Sequence, residues 1–226
     1  FRLFLSSTFA DFRHERRALH ERVFPALDAH ARGYGARFEV VDLRWGISRE
    51  AQEDHQTLAI CLGEIERCRR IGLPPNFAVL LGDRYGWEPP PVAITGANWL
   101  RIMSAAGGDI HLLDASYAPD RNAVPVVWRL RRDAIAGAEA AEKTALVAAL
   151  RRAAVAGGPA PTTHPEIFAS VTHQEILRGA LSFPSGTGDV FAYVRAIDGL
   201  PFSAEGAPYV DIAGDAWDSA AHGRLE

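Results

Sequence analysis

The chain has 226 residues, of which 48% are apolar and 23% charged, with a formal net charge of −4 and a pI near 6.1. This composition describes a globular protein able to bury a sizeable core and excludes a disordered chain. The acidic balance argues against nucleic-acid partners and anionic membrane surfaces, and no apolar run approaches the roughly 18 residues of a membrane span.

The first element, "FRLFLS" (Phe1 to Ser6), reads as a short apolar strand with no signal-peptide layout, and Ser7 or Thr8 suits an N-cap. From Phe9 to about Ala31, Phe12, Leu19, Val23, Phe24 and Leu27 recur at helical spacing among charged residues, which predicts an amphipathic helix. "GYG" breaks it, and "RFEVVDL" (Arg37 to Leu43) is a second strand. Leu58, Ile60, Leu62, Ile65 and Cys68 mark a second helix, ended by Pro74 and Pro75. "NFAVLLG" (Asn76 to Gly82) has the continuous apolar character of a central parallel strand. The order β-α-β-α-β predicts an α/β fold with a doubly wound parallel sheet, the first strand lying between the second and third.

The rhythm then fails. "NWLRIMSAA" predicts a short helix, "NAVPVVWRLR" an irregular strand, and "AEAAEKTALVAALRRAAVAG" a helix of good intrinsic propensity. Residues 88–164 are therefore expected to form a mainly helical insertion within a domain of residues 1–210. "FASVTHQEILRGAL" and "DVFAYVRAI" restore one helix and one strand, and residues 211–226 read as a helical linker to further domains. Cys61 and Cys68, the only cysteines, lie too far apart along one helix for a disulfide. They suit buried thiols in a reducing compartment and are too few for a cysteine metal site.

Two motifs repeat a theme: "VVDLRWG" (Val40 to Gly46) and "LLGDRYGW" (Leu80 to Trp87) each end a strand with Asp, Arg and aromatics beside Gly. In an open α/β sheet the strand ends gather at the carboxyl edge, where ligands bind. That edge would collect Ser6, Ser7, Thr8 and Phe9 with Asp42, Arg44 and Trp45, and with Asp83, Arg84 and Tyr85. Such a set suits a ligand carrying phosphates and a flat ring; the alternative is that Asp42–Arg44 and Asp83–Arg84 are ion pairs that fix loops. No G-x-G-x-x-G or Walker-type motif is present, "SSTF" is not a nucleophile elbow, and the eight scattered histidines predict no metal site. Glu175, early on the helix opened by "SVTHQEI" with Ser170 or Thr172 to cap it, should face the same edge. Its carboxylate either stabilises the helix start or serves chemistry at the crevice rim.

"FRLFLSSTFADFRHERRALHERVFP", "VVDLRWGIS", "ICLGEIERCR" and "VLLGDRYGW", together with "SVTHQEI" through "FAYVRAI", resemble a TIR-like N-terminal domain of unknown function. That domain precedes NACHT modules and WD-type or other repeats in bacteria and, more distantly, in animal telomerase-associated and NACHT–WD proteins. The resemblance implies a flavodoxin-like, TIR-type fold and a cytoplasmic role as effector or assembly domain of a STAND-type immune sensor, in antiviral defence. Enzymatic TIR domains cleave the nicotinamide–ribose bond of NAD with a glutamate on the helix after the third strand, and Glu175 is the matching position. Ser6 to Phe9 and Asp42 to Gly46 match the loops lining the NAD site. Where many such enzymes carry Trp four residues before the glutamate, this chain has Val171. NAD would be the substrate, with no cofactor or metal, and activity would follow self-association of the full-length oligomer. The same resemblance also fits a self-associating scaffold without chemistry.

Overall fold

The computed structural model describes residues 1–43, 57–134, 138–182, 190–201, 203, 205–213 and 216–223. The elements, in chain order, begin with β1 (Arg2–Ser7), α1 (Arg13–Ala18), a π-helical turn (Leu19–Val23), α2 (Phe24–Arg32), β2 (Glu39–Val41), α3 (Thr57–Ile71) and β3 (Phe77–Leu81). There follow β4 (Ala93–Thr95), α4 (Gly96–Ser104), α5 (Ile110–Ser116), β5 (Tyr117–Asp120), β6 (Val127–Leu130), α6 (Ala140–Gly157) and α7 (Pro165–Phe168). The last are α8 (Val171–Ile176), a second π turn (Leu177–Leu181), β7 (Val190–Val194), β8 (Ile212–Ala213), β9 (Ala216–Trp217) and α9 (Ser219–His222). They divide into two compact units, the larger drawn from Phe1–Ile47, Leu58–Trp87 and Val171–Glu226, the smaller chiefly from Glu88–Ser170.

The larger unit is built on a four-stranded parallel sheet, ordered β2-β1-β3-β7 and flanked by helices in a Rossmann- or flavodoxin-like arrangement. β1 lies between β2 and β3, as expected from the sequence. Side chains of a strand alternate between the two faces. Phe4 joins Val41, Cys61, Ile65, Cys68, Phe77 and Val79 on the α3 face, while Leu3 and Leu5 join Phe12, Phe24 and Leu80 on the α1 and α2 face. The expected first helix begins later than its apolar pattern suggests, at Arg13, with no side-chain cap from Ser7 or Thr8. It also widens into a π turn before Pro25, whose ring would clash with the carbonyl four residues back in a regular helix. Gly179, in the second π turn, lies so near Phe77 that an added Cβ would sit 2.2 Å from the ring.

The smaller unit has its own core of Trp99, Ile102, Leu113, Tyr117, Leu150 and Ile167. The segment read as a mainly helical insertion also holds a three-stranded antiparallel sheet, ordered β4-β6-β5. Its strands are of three or four residues, with Pro119 inside β5 and Pro125 just before β6, so their period-2 pattern is too short to read. "VVWRL" supplies β6 of this sheet and no strand of the parallel one. The unit runs past residue 164 to Ser170 because α7 turns Ile167 and Phe168 into the core.

The tail differs from the helical linker expected over 211–226. β8 and β9 pair antiparallel, and among the described residues of the tail only Ser219–His222 is helical; Asp211 is bonded within the larger unit, its Oδ2 accepting from the Tyr85 backbone N–H at 2.6 Å. No described helix is long and apolar enough to cross a membrane.

Candidate functional site

The end of β1 feeds two polar clusters because Ser6 and Ser7 point to opposite faces of the sheet. On the α3 face, Ser6 Oγ donates to Glu175 Oε2 at 2.5 Å, and the Cys61 thiol is a second hydrogen-bond partner of the same carboxyl group. The start of α8 is held by the Val171 N–H donating to the Trp87 carbonyl at 3.0 Å, which places Glu175 over the strand. Glu175 is only 5% exposed. Burial pushes its carboxyl above the ordinary carboxylate range; the bonds from Ser6 and Cys61 and the nearby Arg16 charge oppose this, and Asp42 adds to it. Burial, and then the Glu175 charge, push the Cys61 thiol well up, so it is no nucleophile.

On the other face, Arg16 Nε donates to Ser7 Oγ at 2.8 Å, and its Nη1 pairs with Asp42 Oδ1. His20 Nε2 lies 2.9 Å from Asp42 Oδ2. The Arg16 and Asp42 side chains are 1% and 2% exposed, so this ion pair is fully desolvated. The Arg16 guanidinium also lies 5.5 Å from the ring of Phe9, which is otherwise exposed. Ser7 in turn donates to the Thr8 carbonyl at 2.5 Å.

A third group surrounds the end of β3 and the turn after β1. Thr8 Oγ1 donates to Asp11 Oδ1 at 2.5 Å, and Arg195 donates to the Asp11 carbonyl at 2.7 Å and to Glu15 Oε1 at 2.7 Å. Burial raises the Asp11 carboxyl, against the hydrogen bond from Thr8 and the charges of Arg195 and Arg84. The Arg195 guanidinium stacks 4.1 Å from the Phe12 ring. Tyr85 Oη lies 2.9 Å from His173 Nδ1, and burial lowers the His173 pKa. Gly86, at φ 94°, approaches Thr8 so closely that a Cβ would lie 2.7 Å from Thr8 Cγ2, which fits the glycine there.

Of the residues read from the sequence, Ser6, Ser7, Asp42 and Glu175 come together at the end of β1, with Thr8 and Phe9 beside them. Tyr85 and Arg84 belong to the third group. Arg84 pairs with Asp211 at 3.5 Å and donates to the Pro208 carbonyl at 3.2 Å, so Asp83 is not its partner. Asp83 itself is partly exposed. Arg44 and Trp45 lie outside the described residues; Arg16 and His20 are among the partners of Asp42. Arg16 is the functional-looking residue the motif reading passes over. Its position one helical turn after the buried Phe12, on the apolar stripe, is the signal that could have found it. Among the described residues, no three His, Cys, Asp or Glu side chains gather as a metal site would require. The set as it stands can hold one carboxyl group in a low-dielectric place with a fixed cation nearby.

Residues 2–106 match the family model described as Domain of unknown function (DUF4062). The chain has distant homology to NACHT and WD repeat-containing proteins. It is 30% identical over 193 residues to the mouse (Mus musculus) "NACHT domain- and WD repeat-containing protein 1", a match covering 82% of this chain and 12% of that protein. It is 33% identical over 134 residues to the mouse "NACHT and WD repeat domain-containing protein 2", covering 58% of this chain and 8% of the relative. Over 89 residues it is 43% identical to the rat (Rattus norvegicus) "Telomerase protein component 1", covering 39% of this chain and 3% of the relative. The chain thus corresponds to a small part of each of these proteins. No solved structure matches it significantly.

Proposed function

We propose that this chain is the N-terminal effector domain of a NACHT-type sensor, and that its reaction is hydrolysis of the N-glycosidic bond between nicotinamide and ribose in NAD. The observation that carries the reading is the Glu175 carboxyl group, buried at the carboxyl end of β1 and hydrogen-bonded to Ser6 at 2.5 Å, with the Arg16–Asp42 pair alongside. A lone carboxylate with a perturbed pKa at the edge of a parallel sheet is a functional-site signature. In the reaction the C1′–N bond breaks and its electron pair leaves with nicotinamide. Glu175, ionised, stabilises the oxocarbenium-like ribose. The oxygen of a water then bonds to C1′, and its proton passes to solvent. Phe9, exposed beside Arg16, offers a ring to stack on a base or nicotinamide.

In the resting domain Glu175 is sealed, and burial favours its neutral form. Turnover on this reading needs a rearrangement that opens the carboxyl group and lets it ionise, and assembly of the full-length protein supplies it. A second reading, a self-associating scaffold without chemistry, draws on the same burial: a carboxyl group bonded to Ser6 and Cys61 also serves as a polar fastener of α8 to β1.

The test is to fuse the chain to an oligomerising module and measure nicotinamide release from NAD by wild type and Glu175→Gln. Release by wild type and loss of at least 100-fold in the variant, with unchanged folding, supports the enzyme. Equal release from both removes Glu175 from the mechanism, and no release from either supports the scaffold.

A further inference from the structure

We propose that β7 is a self-pairing edge, through which two copies of this chain join antiparallel about a two-fold axis at Ala192. The inference goes beyond the reading above and holds whether or not the domain is catalytic. β7 (Val190–Val194) pairs with β3 on one side, and no described residue pairs with its other edge. Its side chains are displayed rather than covered: Phe191 is 58% exposed, Tyr193 52% and Val194 72%. On the α1 and α2 face, Phe191 and Tyr193 extend the row begun by Ala78 and Leu80 on β3. They help line an open apolar groove of about 750 Å³, together with Val23, Leu27 and Tyr34.

Parallel sheets are ordinarily covered on both faces, and an exposed apolar edge strand is a template for another strand. A docked helix would cover the groove but leave the edge N–H and C=O groups of β7 unpaired. A strand pairs those groups, and its own apolar side chains continue the row on the groove's face. The occupant is identified by the strand's own sequence. "VFAYV" reads the same by class in both directions: β-branched, aromatic, small, aromatic, β-branched.

Laid antiparallel on a second copy with Ala192 opposite Ala192, the strand sets Val190 against Val194 and Phe191 against Tyr193. Aromatic pairs and β-branched pairs directly opposite each other stabilise antiparallel ladders. No charge lies within β7 to repel the second copy, whereas natural edges meant to stay single usually carry one. The pairing is isologous, so it closes as a dimer and joins two four-stranded sheets into one of eight. The two Phe191–Tyr193 pairs then lie over the seam between the grooves.

The test uses charge on the axis. Ala192 is exposed, so Ala192→Lys and Ala192→Glu leave the core intact; each alone puts like charges opposite each other at the seam, while a mixture puts opposite charges there. Sedimentation velocity of the 226-residue chain over a dilution series should give twice the monomer mass for wild type. Each variant should return to the single-copy mass with an unchanged circular dichroism spectrum, and an equimolar mixture should regain the doubled mass. Wild type monomeric at every concentration overturns the proposal and leaves the groove to another segment or partner. Variants that dimerise as well as wild type, or a mixture that stays monomeric, overturn the Ala192 axis.

Discussion

Replacing Arg16 by Met tests whether the end of β1 is organised around a desolvated ion pair. Met keeps the unbranched aliphatic stem, so little cavity opens, while the guanidinium that pairs with Asp42 and donates to Ser7 Oγ at 2.8 Å is lost. Asp42 then loses that cation while His20 stays 2.9 Å away, and its side chain is only 2% exposed. Breaking one side of such a buried pair typically costs about 3–5 kcal/mol. The His20 contact places this case near the lower end, at about 3 kcal/mol. The double variant Arg16→Met, Asp42→Leu removes both charges and should recover most of that loss, because apolar replacement of a whole buried pair is often close to neutral. Urea unfolding of wild type, both single variants and the double variant gives the coupling directly. A cost below about 1 kcal/mol for Arg16→Met, or a double variant no better than the worse single one, would refute the desolvated-pair argument.

Two further variants follow from the same geometry. Because burial raises the Glu175 pKa in the folded state above its ordinary 4.5, the folded protein holds that proton more tightly, and the stabilising contribution is full below about pH 4.5 and lost as pH rises through the folded value. Glu175→Gln keeps a neutral side chain at every pH, so its urea midpoint should gain on wild type steadily as pH is raised above 4.5; a constant difference would mean that Glu175 is ionised when folded. Gly179→Ala drives a Cβ to 2.2 Å from the Phe77 ring and should cost about 1–3 kcal/mol as overpacking. Phe77→Leu in the same chain should relieve part of that cost, and an unchanged urea midpoint for Gly179→Ala alone would show that the close approach is absent.

The sheet was legible because its strands are apolar runs whose alternation assigns a face to each residue. Leu3 and Leu5 on one side and Phe4 on the other follow from position alone. The strand ends were legible too, which is why Ser6, Asp42, Tyr85 and Glu175 could be placed at one edge. What sequence spacing could not supply was pairing across distance. Arg195 reaches Asp11 and Glu15 from about 180 residues away, and Asp211 displaces Asp83 as the partner of Arg84. Neither pairing leaves a local trace, because partners so far apart in the chain share no spacing that could be read. The small sheet of the second unit escaped for a different reason: β4, β5 and β6 are too short for period 2 to separate them from loop.

The alternation at Ser6 and Ser7 also explains why one strand end can serve two clusters without their competing. Ser6 commits its proton to Glu175 on the α3 face, and Ser7 accepts from Arg16 while donating to the Thr8 carbonyl on the other. The two clusters still sense each other electrostatically, since the Arg16 charge lowers the Glu175 pKa and the Asp42 charge raises it. Of all these influences burial is the largest, and it favours the proton on Glu175. Separating that pair would tip the balance: a guanidinium turned toward Glu175, with Asp42 turned away, favours the carboxylate that the proposed hydrolysis requires. The ion pair and the carboxyl group therefore form one electrostatic unit.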